Sequence, residues 1–228
     1  MSFPDFQIRD IHKVSDELTL SRLGRYLRAT RNNRGQALRL YVLNARVSAV
    51  LMTDLHYVEI LLRNRFDREL TARFGATWYN SPQFLSLVNG RTHGILQKAQ
   101  KNAAKHWKHP TPLLPGKVIA ELTFGFWLSL TDRQLEHSLW TPCLHRAFHP
   151  RRPPKRATFN QQLEKLRHLR NRIAHHEPIF HLDLIHAHQR ISEVNSLFCY
   201  TTTRMMNSTS KVKRNIMSIV KYRERNDI

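Results

Sequence analysis

The spacing of apolar residues predicts helices along most of the chain. In the stretch QALRLYVLNARVSAVLM, residues that recur every three or four positions share one helix face: Leu38, Tyr41, Val42, Ala45, Ala49 and Met52. Thr53 or Asp54 then offers a cap for a new helix. Its apolar row repeats every fourth residue: Val58, Leu62, Phe66, Leu70 and Phe74. The pattern predicts two consecutive amphipathic helices.

Similar reasoning predicts helices over the rest of the chain. We expect a polar helix at about 83–107, a buried helix in KVIAELTFGFWLSLTD and another at about 131–147. A loop with three prolines, HPRRPPKRAT, precedes a helix at about 158–177. One or two further helices run from Leu182 onward, including a basic helix at about 208–226. Strand-like alternation is scarce, so the prediction is an all-α helical bundle forming a single domain over 1–228.

The charge balance narrows the class of partner. Lysine and arginine number 37 against 17 acidic residues, giving a net charge of +20 and an isoelectric point near 10.9. Such an excess favours a polyanion, and nucleic acid before anionic lipid. The two cysteines, Cys143 and Cys199, are far apart and outside a metal-binding spacing, which suits a reducing compartment. We see no signal peptide and no long apolar run, so we expect a cytoplasmic protein without membrane contact.

The stretch LRNRIAHHEPIF at 169–180 concentrates cationic and titratable side chains. In a helix, Arg170 falls on the apolar row of Phe159, Leu163, Leu166 and Ile173. A guanidinium is costly to bury without a partner. Arg170 is therefore expected either to pair inside the bundle or to open into a groove that an anion can reach.

The neighbouring face of this helix is polar: it carries His168, Asn171, Arg172 and His175. His176 lies closer to the apolar row. Because Pro178 disfavours helix in the residue before it, the helix should stop at about His176. Both histidines then belong to the last turn, where they are placed for proton transfer.

Three interpretations of this cluster compete. The histidines can simply cap the helix. A metal site is the second, but HEPIFH is not HExxH, and Pro178 destroys the helical spacing of two zinc ligands, even with His181, His186 and His188 as extra donors. The third is metal-free cleavage of RNA, in which a histidine transfers protons and an arginine stabilises charge on phosphorus. Only the third uses the whole cluster and the basic charge.

The segment from Arg170 to His175 resembles the arginine–spacer–histidine signature of the HEPN superfamily. Four further stretches, in the same order, resemble its Abi-like (abortive infection) branch: ALRLYVLNARVSAVL, YVEILLRNRF, FGATWY and IAELTFGFWLSL. The resemblance covers about residues 15–200 and implies a HEPN-like helical bundle with extra N- and C-terminal helices. It also implies an endoribonuclease that needs no metal or other cofactor and leaves 2′,3′-cyclic phosphate ends on single-stranded RNA.

The resemblance assigns roles as well. Arg170 and His175 become the catalytic pair, Asn171 assists, and His176 satisfies the spacing equally well. A role in phage defence or as a toxin is implied, with RNA as partner, a possible bound noncoding RNA and a possible antitoxin. The alternative is an inactive protein that only holds a regulatory or guide-like RNA.

Residues expected to bind RNA surround the motif or repeat part of it. The sequence LRNR at 169–172 recurs at 62–65. Coincidence is a slightly better explanation for a match this short than two related polar positions in one groove. The RNA-binding candidates are Arg63, Asn64, Arg151, Arg152, Lys155, Arg156, His168 and Arg172.

The resemblance also implies a homodimer whose two motifs meet at one site, and the helix geometry favours the same arrangement. Each helical residue turns about 100°, so Arg170 and His175 point about 140° apart and present themselves to one phosphate only awkwardly. Two copies of the helix at a twofold axis would surround the phosphate.

Overall fold

The structure, a computed structural model, describes residues 7–107, 113–148 and 153–228. No strand occurs within these ranges, and the predicted all-α fold class is confirmed. The α-helices are α1 Ile8–Leu18, α2 Leu20–Ala29, α3 Arg34–Phe74, α4 Pro82–Leu85, α5 Gly90–His106, α6 Pro115–Ala120, α7 Phe124–Ser129, α8 Arg156–Ala174, α9 Leu184–Phe198, α10 Tyr200–Thr209 and α11 Val212–Asn226. Short 3-10 turns occupy Trp78–Asn80, Arg133–Leu135 and Leu144–Ala147, and a π-helical turn spans Glu136–Trp140.

The described residues group into two compact units. The first takes in the chain up to Asp54 together with Leu169–Gln189 and Ser208–Ile228. The second takes in Leu55–His168 and Arg190–Asn207. The boundaries therefore fall inside α3, α8, α9 and α10, and most of the motif region belongs to the first unit. The single-domain organisation remains a prediction.

The first unit packs α2 against the segment that follows the motif helix. The Tyr26 ring lies 5.2 Å from the Phe180 ring and 5.3 Å from the Tyr41 ring, measured between centroids. The buried Asn44 side chain accepts hydrogen bonds from the backbone N–H groups of Ile179 and Phe180, at 2.8 and 3.0 Å. Because buried backbone donors need acceptors, this asparagine fixes the chain just beyond α8.

A buried polar cluster ties three other parts of the first unit together. Asp54 and His188 are 2% and 6% exposed. Asp54 Oδ2 accepts a hydrogen bond of 2.6 Å from the Ser210 hydroxyl and lies 3.2 Å from His188 Nε2. The Ser210 oxygen in turn accepts from the N–H of Val212 at the start of α11. The cluster thereby connects α3, α9 and α11.

The second unit has an aromatic core around Phe66. Its ring lies 6.2 to 6.5 Å from those of Trp140, Phe148, Phe159 and Phe198. Aromatic pairs at such spacings add to the apolar area that they bury. Phe66 and Phe159 have no exposed surface, as the apolar rows predicted from Val58 to Phe74 and along α8 require. The row predicted from Leu38 to Met52 is wrong, because Ala45 and Ala49 are exposed and the buried apolar residues there are Ala37, Leu38, Leu40, Val47 and Leu51.

The predicted break at Thr53 or Asp54 is wrong, because α3 continues through both residues. The Thr53 hydroxyl donates a hydrogen bond to the carbonyl of Ala49, one turn earlier. The hydroxyl therefore has its acceptor within the helix and does not cap a new one. Asp54 is engaged with Ser210 and His188.

Other predicted helices are shorter or broken. The helix expected at about 83–107 is divided into α4 and α5, since the Asn89 side chain caps α5 by accepting from the N–H of Thr92. The apolar segment expected to form one helix forms α6 and α7, separated around Thr123, whose backbone is extended. Residues 131–147 form 3-10 and π turns instead of an α-helix, consistent with the missing N–H of Pro142.

The two helices that matter most for function are close to their expected positions. The motif helix, expected at about 158–177, spans Arg156–Ala174. The basic C-terminal helix, expected at about 208–226, begins at Val212. Three helices rather than one or two follow Leu182.

Candidate active site

The end of α8 is a tight turn built around His176. The N–H of Glu177 donates to the carbonyl of Arg172 at 2.8 Å, and the N–H of His176 donates to that of Ile173 at 3.0 Å. This pair of bonds is the Schellman ending of a helix, in which one residue adopts the left-handed conformation. That residue is His176, with a φ of 56°. The helix therefore ends at Ala174, and both histidines lie just beyond it.

Left-handed backbone is unusual for a histidine in this position. Glycine normally occupies it, because a Cβ atom makes the conformation less favourable by about 1–2 kcal/mol. Asn44 holds the segment that follows, at Ile179 and Phe180, and thereby stabilises the turn. The imidazoles of His175 and His176 are exposed.

Arg170 and Asn171, in the last turn of α8, are each partly buried. The apolar row expected along this helix is confirmed, since Phe159, Leu163, Leu166 and Ile173 are buried. The Nε atom of Arg170 is shielded from solvent, as its place on that row predicts.

Arg172 is committed largely to the turn itself. Its Nη2 donates to the carbonyl of Pro178 at 2.8 Å, and its Nη1 lies 3.4 Å from a carboxylate oxygen of Glu177. Its side chain is 27% exposed. The expected RNA-binding role of Arg172 remains a prediction, and the contacts give it a positioning role in the turn.

Arg22 of α2 binds the carbonyl end of the motif helix. Its Nη1 donates to the carbonyl of His176 at 2.9 Å and approaches that of His175 at 3.5 Å. A helix leaves its last carbonyls without intrahelical partners, and its C-terminal end favours a positive charge. Arg22 thus joins α2 to the turn that carries both histidines.

A cationic groove of about 710 Å³ runs beside this turn. Arg22, Arg25 and Arg28, spaced three residues apart on the exposed face of α2, line it together with Glu177 and Pro178. The buried residues of α2, Leu23 and Tyr26, lie on the other face. We call this feature the α2 groove. Its arginines were not among the predicted site residues, although the amphipathic pattern LSRLGRYLRA would have placed them on one exposed face.

His181 lies in a strongly positive environment. Its Nε2 is 3.2 Å from Nη1 of Arg25. Burial lowers the pKa of His181 below its usual 6.5, and the charges of Arg172, Arg25 and Arg223 lower it further. The neutral imidazole is favoured, with Nε2 as the acceptor of the bond from Arg25. The sequence suggested His181 only as an optional metal ligand.

The remaining predicted residues on described helices lie in the second unit. His168 is 72% exposed and 3.8 Å from Glu164, whose carboxylate also accepts two hydrogen bonds from Arg167. Arg63 Nε donates to the side chain of its neighbour Asn64 at 3.3 Å. Lys155 is exposed. Arg151 and Arg152 lie outside the described residues.

Arg156 differs from the expectation for an RNA-binding residue. It is 8% exposed, donates to Glu136 at 3.0 Å and donates to the carbonyl of Thr131 at 2.7 Å. A guanidinium held in this way supports the fold near the start of α8 and is not presented to solvent. The burial of Arg156 was not predicted, because its basic neighbours in the sequence suggested an exposed loop.

The two LRNR copies lie in different units. In each copy the last arginine donates to a backbone carbonyl: Arg65 to Phe198 at 2.9 Å, and Arg172 to Pro178 at 2.8 Å. The two copies therefore share an arginine whose side chain holds a backbone carbonyl of another segment.

The described residues contain no group of three or more histidine, cysteine or acidic side chains arranged to hold a metal ion. None of their helices combines the length and apolar character needed to cross a bilayer.

A family model described as Abi-like protein matches residues 13–181. This range includes α2, the motif helix and the turn up to His181, and it excludes α9 to α11. Neither the curated proteins nor the solved structures contain a match.

Proposed function

The chain belongs to the Abi-like protein family, and from this premise we propose that it is a HEPN-type endoribonuclease acting on single-stranded RNA. Membership indicates an abortive-infection or toxin-type function, with which a nuclease is compatible. The observation that carries the proposal is the turn at the end of α8: its two histidines follow Arg170 and are fastened by Arg22 beside the α2 groove.

The proposed reaction is transesterification within the RNA. The 2′-oxygen attacks phosphorus and forms a new O2′–P bond, while the bond between phosphorus and the 5′-oxygen breaks. One imidazole accepts the proton of the 2′-hydroxyl, and a protonated imidazole gives a proton to the leaving 5′-oxygen. Arg170 stabilises the charge on the phosphoryl oxygens. The products are a 2′,3′-cyclic phosphate and a 5′-hydroxyl, with no metal in the sequence of steps.

His175 is the proposed catalytic histidine, and Asn171 is proposed to orient the phosphate with Arg170. His176 occupies the strained left-handed position, where the backbone of the residue shapes the turn. His175 carries no such conformational demand, since its N–H still bonds to the carbonyl of Asn171 at 2.9 Å.

We propose that the α2 groove holds the RNA backbone. Successive residues of the arginine row rise along the helix by about 4.5 Å, which is within reach of neighbouring phosphates for long, flexible side chains. Such contacts bind any sequence, and their affinity falls as salt rises. In this proposal the α2 groove binds the RNA backbone, and the turn at the end of α8 carries the histidines that transfer protons.

The acting species is proposed to be a homodimer. One copy of α8 provides one Arg170 and one His175, whereas the reaction needs both a base and an acid. A twofold pairing of α8 turns would supply them from two chains. Adding an excess of His175→Ala chains to wild-type chains tests this. Cleavage that falls as mixed dimers form supports a site shared between chains, because a mixed dimer keeps only one of the two imidazoles. Full activity in a demonstrated monomer contradicts it.

A second candidate function is RNA binding without cleavage. The exposed arginine row favours it, because attachment to a strand needs the α2 groove and not the α8 turn. Incubating labelled single-stranded RNA with the protein in EDTA separates the two. Shorter products support the nuclease, and an intact but retarded RNA supports the binder.

A further inference from the structure

A second cavity of the first unit lies next to the α2 groove. It has a volume of about 330 Å³, and its walls include Arg25, Ala29, Leu40, Phe180, His181 and Arg223. We call it the His181 pocket. Arg25 belongs to both features, so the two cavities adjoin at this residue.

The walls of the pocket differ in chemical character. Leu40 and Phe180 line the pocket but are 0% and 6% exposed, so the apolar surface that a ligand can reach comes mainly from the partly exposed Ala29 and Ile228. The Phe180 ring lies 5.5 Å from the His181 ring. Arg25 and Arg223 are exposed at the rim. Arg223 is oriented by a hydrogen bond of 3.2 Å from its Nε to the carbonyl oxygen of Ile228.

The positive charge at the rim is concentrated around one imidazole. Arg25, Arg172 and Arg223 all act on His181 and lower its pKa, after burial. Arg172 is balanced by Glu177 at 3.4 Å. Arg25 instead points at the uncharged nitrogen of His181, so an anion placed here would relieve the mutual repulsion of these cations.

An apolar wall beside two arginines fits a ligand with a flat ring and a phosphate. A cavity of this size lies at the small end of ligand pockets, which span roughly 300–1,000 Å³, and so suits one nucleotide rather than several. We propose that the His181 pocket binds one nucleotide of the RNA substrate, with its phosphate on Arg25 and Arg223 and its base against Ala29 and Ile228, beside Phe180. The choice of RNA as the source rests on the proposed function.

This assignment gives α11 a part in substrate recognition. Arg223 lies in α11, outside the range matched by the family model, whereas Arg25, Phe180 and His181 lie within it. In the pocket, α11 therefore completes a wall whose other residues, apart from Ile228, lie within the range matched by the family model. Arg225 on the same helix is exposed and is not among the lining residues, which makes it a matched control.

The test titrates the full chain with adenosine 5′-monophosphate or ribose 5-phosphate while imidazole NMR signals are followed. The His181 signals are assigned with His181→Gln. We expect both ligands to shift them, with the nucleotide binding about tenfold tighter or more, because stacking of a base adds to the phosphate contact.

Arg223→Gln should lower the affinity for the nucleotide about fivefold or more, since a charged hydrogen bond is lost, and Arg225→Gln should leave the affinity unchanged. A short single-stranded RNA should displace the nucleotide.

Four results would each overturn the inference: His181 signals that the nucleotide does not shift, equal affinity for the two ligands, no effect of Arg223→Gln, or a nucleotide that RNA does not displace. A folded Arg223→Gln chain, verified by its circular dichroism, keeps the comparison valid. A different result would contradict the proposed function alone: the nucleotide binds, but the wild-type protein leaves RNA intact. If wild type cleaves RNA but the nucleotide does not shift His181, the pocket fails and the nuclease stands.

Discussion

The guanidinium of Arg22 donates a hydrogen bond of 2.9 Å to the backbone carbonyl of His176, the residue with left-handed backbone at the end of α8. One side chain thus lies at the wall of the α2 groove and also holds the turn that carries both histidines. This double role distinguishes Arg22 from Arg28, which lines the same groove without a hydrogen bond to the turn in the described part of the chain.

Arg22→Ala should reduce cleavage at saturating RNA by about tenfold, because the loss of the carbonyl contact loosens catalytic geometry as well as removing a charge. Arg28→Ala removes the same charge from the same groove and should act on RNA affinity alone. Single-turnover rates over a range of RNA concentrations separate the two effects. Equal maximal rates in the two variants would mean that Arg22 contributes only charge.

His176→Gly should stabilise the fold by up to about 1 kcal/mol, since glycine adopts the left-handed conformation without the Cβ penalty. Cleavage should persist in this variant, and urea unfolding with a cleavage assay measures both outcomes. His175→Ala is the partner experiment and should abolish cleavage while the fold remains stable. If His176→Gly loses activity and His175→Ala retains it, the catalytic assignment is reversed.

The turn shows how far sequence reasoning reaches. Pro178 correctly predicted that α8 stops nearby, and the apolar row of this helix is buried as predicted, with Arg170 partly buried beside it. The left-handed His176 was not predictable, because glycine is the usual signal for that conformation. The turn depends on Asn44 and Arg22, more than a hundred residues away in the chain, and local patterns carry no information about such partners.

His188→Ala should lower the free energy of unfolding by about 3 kcal/mol, because it leaves the carboxylate of Asp54 buried without its imidazole partner. The control is His186→Ala on the same helix. His186 is paired with Asp183, but both side chains are largely exposed, so its loss should change stability by less than about 1 kcal/mol. Urea unfolding of the two variants makes the comparison. Equal effects would show that the Asp54–His188 contact adds nothing beyond that of an exposed pair.

The lowered pKa of His181 predicts a pH dependence of stability. The unfolded chain binds a proton at this residue near pH 6.5, whereas the folded chain binds it only at lower pH. The unfolded state therefore gains protons first, and stability declines as the pH falls below 6.5 toward the folded-state pKa. His181→Gln should lose this part of the decline. The measurement is urea unfolding at about pH 7.5 and about pH 5. Identical pH dependence in wild type and variant would contradict the assignment.

The cationic residues illustrate the limits of a sequence reading most clearly. Arg156 follows prolines and lies in a basic stretch, which suggested an exposed position, yet it binds Glu136 inside the second unit. Arg22, Arg25 and Arg28 belong to an ordinary amphipathic helix, and only the tertiary fold brings them to the turn after α8. Charge and periodicity in the sequence predicted a basic helical protein. Which arginines lie beside the turn after α8 could be seen only in the structure.

The most direct test of the central claim is the chemical identity of RNA ends produced in EDTA by purified wild-type protein, beside Arg170→Lys purified in the same way. Lysine keeps the charge of Arg170 but lacks the planar fork that grips two phosphate oxygens. We predict 2′,3′-cyclic phosphate ends from wild type, a rate lower by about a hundredfold or more in Arg170→Lys, and nearly equal RNA binding by both. RNA that both proteins bind and leave intact, or equal cleavage by both, would contradict the account.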